Sequence, residues 1–147
     1  MSVADTPARV RDAKWRCPQC GRTFSRTGQP HSCRTVSLES HLRDGPQRAL
    51  FERLLAAVNS KAGECEVLSL PCCIHLVGRY DFLAVLPRKE RLEIRFVLER
   101  VLANPRVQRS ARISKALYKH SVDVRTAGDI DEELLSWVRE AYHLERR

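Results

Sequence analysis

Arg91-Leu92-Glu93-Ile94-Arg95-Phe96-Val97-Leu98 sets Leu92, Ile94, Phe96 and Leu98 against Glu93 and Arg95. Successive strand residues point to opposite faces, so this octet reads as a strand with one face in a core and the other in water. A single wet face is typical of antiparallel sheets, whereas parallel strands are covered on both sides. Upstream, Tyr80 to Leu86 alternates Tyr80, Phe82, Ala84 and Leu86 against Asp81, Leu83 and Val85. Glu64 to Leu70 reads as a strand ending at Pro71, and Cys73 to Val77 as another. Downstream, Asn104-Pro105 turns the chain, Ala111 to Leu117 reads as a weaker strand, and Tyr118 to Arg125 sets Tyr118, His120, Val122 and Val124 against Lys119, Ser121, Asp123 and Arg125. Short links between these segments favour antiparallel pairing. About five or six strands are expected.

Helices flank this block. After Asp44-Gly45, Pro46 suits a first helical turn, and Leu50, Leu54 and Val58, joined by Phe51 and Leu55, give one apolar face to about residue 60. At the other end, Asp129-Ile130-Asp131-Glu132 reads as a helix start, with Asp129 as N-cap and acids in the first turn. Ile130, Leu134, Val138 and Ala141, flanked by Trp137 and Tyr142, form the stripe of a helix from 130 to about 143. Ser37 to Leu42 supplies one or two further turns. The expected class is α+β, an antiparallel sheet with N- and C-terminal helices and a small N-terminal zinc knuckle. The expected boundaries are a disordered tail over 1–14, the knuckle over 15–36 and the α+β domain over 37–147.

The knuckle is read from Cys17-Pro18-Gln19-Cys20-Gly21 and His31-Ser32-Cys33. Zn2+ takes four tetrahedral thiolate or imidazole ligands, and two cysteines separated by two residues wrap one side of the ion. The expected ligands are Cys17, Cys20, His31 and Cys33, with His41 as a competing fourth ligand and a pair of buried thiols as the alternative. Gly28 and Pro30 interrupt the stretch between Cys20 and His31, which excludes the long recognition helix of a DNA-reading Cys2His2 finger. Trp15 and Phe24 serve either as the small apolar core of the knuckle or as a stacking platform for bases. Three cysteines remain, Cys65, Cys72 and Cys73. This odd number does not suit a disulfide framework and points to a reducing, cytoplasmic setting.

The net charge is +8 and uneven. Residues 1–36 hold seven basic and two acidic groups, and residues 86–125 hold eleven basic against four acidic. Such concentration suits a polyanion partner, nucleic acid or an acidic protein surface; a solvated surface is the alternative. Candidate phosphate contacts are Arg16, Arg22, Arg26 and Arg34 in the knuckle, and Arg95, Lys119 and Arg125 on the polar side of the sheet, with Arg112 as a further possibility. Exposed aromatics that would stack on RNA bases do not fall on that side. No apolar stretch approaches the ~20 residues needed to cross a bilayer, so no membrane partner is expected.

Catalytic signatures are missing: there is no Gly-rich phosphate loop, no Ser/His/Asp order and no paired carboxylates with a nearby base. His120 falls on the apolar side and reads as a core histidine. His75 is ambiguous, and of Cys72 and Cys73 at most one can join the core, since strand neighbours face opposite ways.

The residues Phe82-Leu83-Ala84-Val85-Leu86-Pro87-Arg88-Lys89, Leu92 to Phe96, and Asp129 to Leu134 with Trp137 and Ala141-Tyr142 carry a resemblance. The stretch from about Leu38 to Leu144 resembles the bacterial family catalogued as domain of unknown function 5655, whose members are often preceded by a Cys-Pro-x-Cys-Gly segment ending in His-x-Cys. The resemblance implies an α+β fold and brings no activity with it. Together these readings lead to a non-enzymatic zinc-binding module with a basic α+β domain that binds a polyanion or a protein. The alternatives are a small-ligand or metal-handling domain using Cys72 or His75, and an enzyme whose site the motifs do not reveal.

Overall fold

The computed structural model describes residues 15–24 and 26–144. The tail expected over 1–14 lies outside the described residues. Those described gather into two units, residues 15–34 and Thr35–Leu144.

In the first unit, β1 (Trp15–Arg16) pairs antiparallel with β2 (Thr23–Phe24), Trp15 opposite Phe24. The connecting turn is closed by Cys17 N–H to Arg22 O and Gly21 N–H to Cys17 O, both 2.8 Å. Gly21 takes φ +77°, a left-handed conformation that side-chain-bearing residues avoid. From Arg26 to Arg34 the backbone forms turns and extended chain without a helix.

The second unit opens with a single 3-10 turn at Leu38–Ser40, followed by helix α1 (Pro46–Lys61). Six strands follow: β3 (Glu66–Ser69), β4 (Ile74–Val77), β5 (Asp81–Arg88), β6 (Arg91–Leu98), β7 (Val107–Arg112) and β8 (Tyr118–Val124). Their spatial order is β3-β4-β5-β6-β8-β7, with every pair antiparallel. Helix α2 (Glu132–Tyr142) closes the unit. The class is α+β, as the alternation and flanking helices imply.

Both helices cover one face of the sheet. Ile74, Leu76, Leu83, Val85, Leu92, Ile94, Leu98, Val122 and Val124 are buried there against Phe51, Leu54 and Val58 of α1 and Leu134, Trp137 and Val138 of α2. Each fully buried large apolar side chain contributes about 1.5–3 kcal/mol. Arg91–Leu98 behaves as expected, with Leu92, Ile94, Phe96 and Leu98 all buried and Glu93 and Arg95 on the opposite face.

The structure corrects three local readings. On β5, Val77 pairs with Asp81 but Leu76 pairs with Leu83, so Phe82 is an extra, bulged residue. Phe82 and Leu83 are therefore both buried, while Ala84 and Leu86 join the open face opposite His75 and Glu93. The weaker strand expected at 111–117 lies at Val107–Arg112 instead. As an edge strand that is mostly exposed, it has no apolar face for alternation to locate. Residues 113–117 form its turn, where Arg112 donates to the carbonyls of Ser114 at 3.1 Å and Lys115 at 2.9 Å. Finally, the N-cap of α2 is Asp131, which accepts from Leu134 N–H at 3.0 Å. Asp129 caps a 3-10 turn one step earlier (Ala127–Asp129) together with Thr126. Arg106 ties the two together: it donates to Asp131 at 2.9 Å and to Asp129 O at 2.7 Å, and lies 5.8 Å from the Trp137 ring centre.

Candidate metal centre

Cys17, Cys20, His31 and Cys33 converge, with their donor atoms all within 4.8 Å of one another. The turn after β1 carries Cys17 and Cys20, and the segment returning past β2 carries His31 and Cys33. Cys17 Sγ lies 3.7 Å from Cys33 Sγ, and His31 Nε2 lies 3.3 Å from both Cys20 Sγ and Cys33 Sγ. Zinc–sulfur bonds of about 2.3 Å and zinc–nitrogen bonds of about 2.0 Å at tetrahedral angles give S···S edges of roughly 3.8 Å and S···N edges of roughly 3.5 Å. The observed separations fit edges of that tetrahedron, so the group can hold a metal ion.

The surroundings orient the donors. His31 Nδ1 contacts Gln29 O at 2.7 Å. A carbonyl can only accept, so the proton sits on Nδ1 and the Nε2 lone pair faces the sulfurs. The imidazole is packed by Phe24, with ring centres 4.3 Å apart, and by Trp15 at 5.9 Å. These two aromatics thus form the apolar wall of the cluster. Backbone N–H groups of Cys20 and, less strongly, Gln19 hold the Cys17 thiol down to about 6. Burial and the neighbouring Cys17 and Cys20 sulfurs push Cys33 up to about 11. A divalent cation among these sulfurs reverses the second effect, because it stabilises the thiolates it binds. His41, the competing ligand, lies in the other unit and contacts Leu70 O at 2.6 Å.

The basic residues singled out from the sequence fall into two sets. Arg16, Arg26 and Arg34 are exposed; Arg22 is half-buried, 5.0 Å from the Phe24 ring centre. On the open face of the sheet, Arg95 binds Glu93 at 2.8 Å, Arg125 lies 3.7 Å from Asp123, and Lys119 is exposed. Glu93 also receives Arg88 at 2.9 Å. Burial raises its pKa, but hydrogen bonds from Arg95 and Arg88 outweigh that and hold the carboxyl below its ordinary value. Arg112 is in the cross-strand row of Tyr118 and is turned into the β7–β8 loop. Arg125 also borders a cleft of about 390 Å³, with Arg53 and Arg91 among its lining residues.

His120 is buried in the core, stacked 5.5 Å from Phe96, and its Nε2 accepts Leu102 N–H at 3.1 Å. Cys73 is buried and Cys72 exposed. Sequence reasoning missed Asp81, whose Oδ2 lies 2.9 Å from His75 Nδ1. The two are six positions apart in the chain, and only the β4–β5 hairpin brings them together.

Residues 38–145 match a family model described as Domain of unknown function (DUF5655). The four-residue cluster precedes the matched region. No curated protein and no solved structure matches the chain.

Proposed function

The chain belongs to the DUF5655 family of domains of unknown function, and we propose that it is a non-enzymatic zinc-binding module whose open sheet face docks a polyanion, nucleic acid first among them. Zinc would be held by Cys17, Cys20, His31 and Cys33, whose spacing supports a closed four-ligand site of the structural kind. Zinc there supplies folding free energy for a segment too short to bury a core of its own.

The observation that carries the polyanion reading is the charge of the uncovered sheet face. Across β5 to β8 and the residue after β8, the register puts Arg88, Arg91, Arg95, Arg109, Lys119 and Arg125 on that face with Asp81, Glu93 and Asp123. With Glu66 of β3, which the same register adds to this face, six cations stand against four carboxylates, an excess that the internal ion pairs do not cancel. Glu93 pairs with Arg88 and Arg95, and Asp123 with Arg91 and Arg125, which holds these guanidinium groups in place on the face. Beside Arg91 and Arg125, the cleft adds Arg53 of α1 together with Glu90. Arg16, Arg26 and Arg34 of the knuckle would add contacts of the same sequence-independent kind.

Gel-shift titrations with single- and double-stranded DNA and RNA at several salt concentrations test this. Binding whose logarithm falls linearly with the logarithm of salt is expected, since each neutralised phosphate releases counterion. No binding at ~50 mM salt and micromolar protein removes the nucleic-acid reading. Capture of an acidic protein instead would keep the face and change the partner.

A further inference from the structure

We propose that Cys72, Cys73 and His75 form a second site, for a thiophilic divalent cation, with one coordination position left open. The turn between β3 and β4 is Leu70-Pro71-Cys72-Cys73, closed by Leu70 N–H to Cys73 O at 2.9 Å. Neighbouring residues on a straight strand face opposite ways. At this turn the alternation is broken, and the Cys72 and Cys73 sulfurs converge to 2.9 Å. Cys73 and His75 are two apart at the start of β4 and share a face, which puts Cys73 Sγ 3.2 Å from His75 Nε2. The three donor atoms lie within 4.8 Å of one another.

Two further observations point to a cation. His75 Nδ1 lies 2.9 Å from Asp81 Oδ2, so the imidazole is held by a carboxylate with Nε2 turned to the sulfurs. This is the carboxylate–histidine arrangement that orients metal-bound imidazoles and raises their basicity. It parallels the Gln29 contact of His31, with a charged acceptor in place of a carbonyl. The ligand set of two sulfurs and one imidazole selects soft and borderline ions over magnesium or calcium. The sulfur separation must open to the roughly 3.8 Å of a tetrahedral edge, and the exposed Cys72 side chain has room to move that far. Three protein ligands with a fourth position facing solvent are the pattern of a reactive site; the closed knuckle is the structural pattern. Register places His75, Ala84 and Arg95 in one cross-strand row, so the nearest guanidinium in that row stands two strands from the site and is paired with Glu93.

Metal-free full-length protein titrated with Co2+ under reducing conditions tests the site through thiolate-to-cobalt absorbance. Two equivalents are expected, the second weaker. Cys72→Ser, at an exposed position where folding is retained, and Cys73→Ser are expected to abolish the second equivalent, and Cys65→Ser to keep both. Asp81→Asn is expected to weaken it ten- to a hundredfold while leaving the first unchanged. Cys17→Ser removes the other equivalent, so failure of the knuckle and failure of this site are read separately. A single equivalent that Cys72→Ser leaves intact overturns the proposal, as does conversion of the two thiols to a disulfide without any metal uptake.

Discussion

Tyr142 donates its hydroxyl to the carbonyl of Glu64 at 2.8 Å, and its ring lies directly over the backbone at Gly78. The last turn of α2 is thereby clamped to the chain between α1 and β3. A Cβ on Gly78 would sit 2.8 Å from Tyr142 Cε2, and one on Gly63 would overlap the same ring. Gly63→Ala and Gly78→Ala are each expected to destabilise by about 1–3 kcal/mol through overpacking, measured by urea unfolding. Tyr142→Phe keeps the ring and removes only the hydrogen bond, for about 0.5–1.5 kcal/mol. Equal stability of Gly78→Ala and the parent would show that the ring moves aside freely.

Metal content tests the knuckle. Purified protein is expected to retain zinc that Cys17→Ser or Cys20→Ser loses and Cys65→Ser does not. His31→Ala is expected to weaken binding more than His41→Ala, because His31 faces two of the sulfurs whereas His41 contacts Leu70 O. Full zinc retention in Cys17→Ser would sink the ligand assignment.

Chelation separates the two units. Residues 15–34 are too few to form a core, so their order is expected to depend on metal. Thr35–Leu144 has its own two-helix, six-stranded core and is expected to keep a cooperative thermal transition after chelator is added. Circular dichroism with and without chelator decides this, and global unfolding would mean that the metal holds one shared core.

His120 predicts the acid limb of stability. Burial lowers its pKa below the ordinary value, with hydrogen-bonding and charge effects secondary. The unfolded chain therefore binds a proton near pH 6.5 that the folded chain refuses. This contribution is whole above pH 6.5 and is lost progressively as pH falls from there toward the lowered folded value. His120→Leu is expected to flatten that part of the stability–pH curve. It also leaves Leu102 N–H unpaired in the core, costing about 1–3 kcal/mol at neutral pH. An unchanged slope between pH 6.5 and 5 would contradict the assignment.

On the open face, Lys119→Ala and Arg125→Ala are each expected to lower the salt slope of nucleic-acid binding by about one, as for loss of one phosphate contact. Ala111→Ser, opposite Lys119 on the edge strand, is expected to leave the slope unchanged. A slope indifferent to both basic substitutions would place the contacts elsewhere.

Local signals with a strong physical cause were readable from the chain alone. Leu92 to Leu98 alternates because one face is buried, and the Cys17–Cys20 and His31–Cys33 spacings bring four donors to one point. What escaped depends on pairing between strands. The bulge that buries Phe82 beside Leu83 is a property of the β4–β5 register, invisible in either strand by itself. β7 escaped because an exposed edge strand has no reason to alternate, and Asp81 because its meeting with His75 exists only across a hairpin. The N-cap shifted from Asp129 to Asp131 because the Asp129 carboxylate accepts the N–H groups of Arg125 and Thr126 in the preceding turn, leaving Asp131 to accept from Leu134.

The placement of β8 between β6 and β7 bears on the order in which the domain is made. β3 to β6 form a meander whose partners are close in sequence, so those pairings can be made as the chain emerges. β8 must then dock on β6, with Leu98 opposite Tyr118, before β7 has anything to lie beside. The apolar floor of Ile94, Phe96 and Val122 still lacks Leu134, Trp137 and Val138 at that moment. A nascent chain that has reached only residue 129 therefore carries a sheet roofed on one half by α1 and bare on the other. Such a chain is expected to bind apolar dyes and holdase chaperones until the final eleven-residue helix closes it.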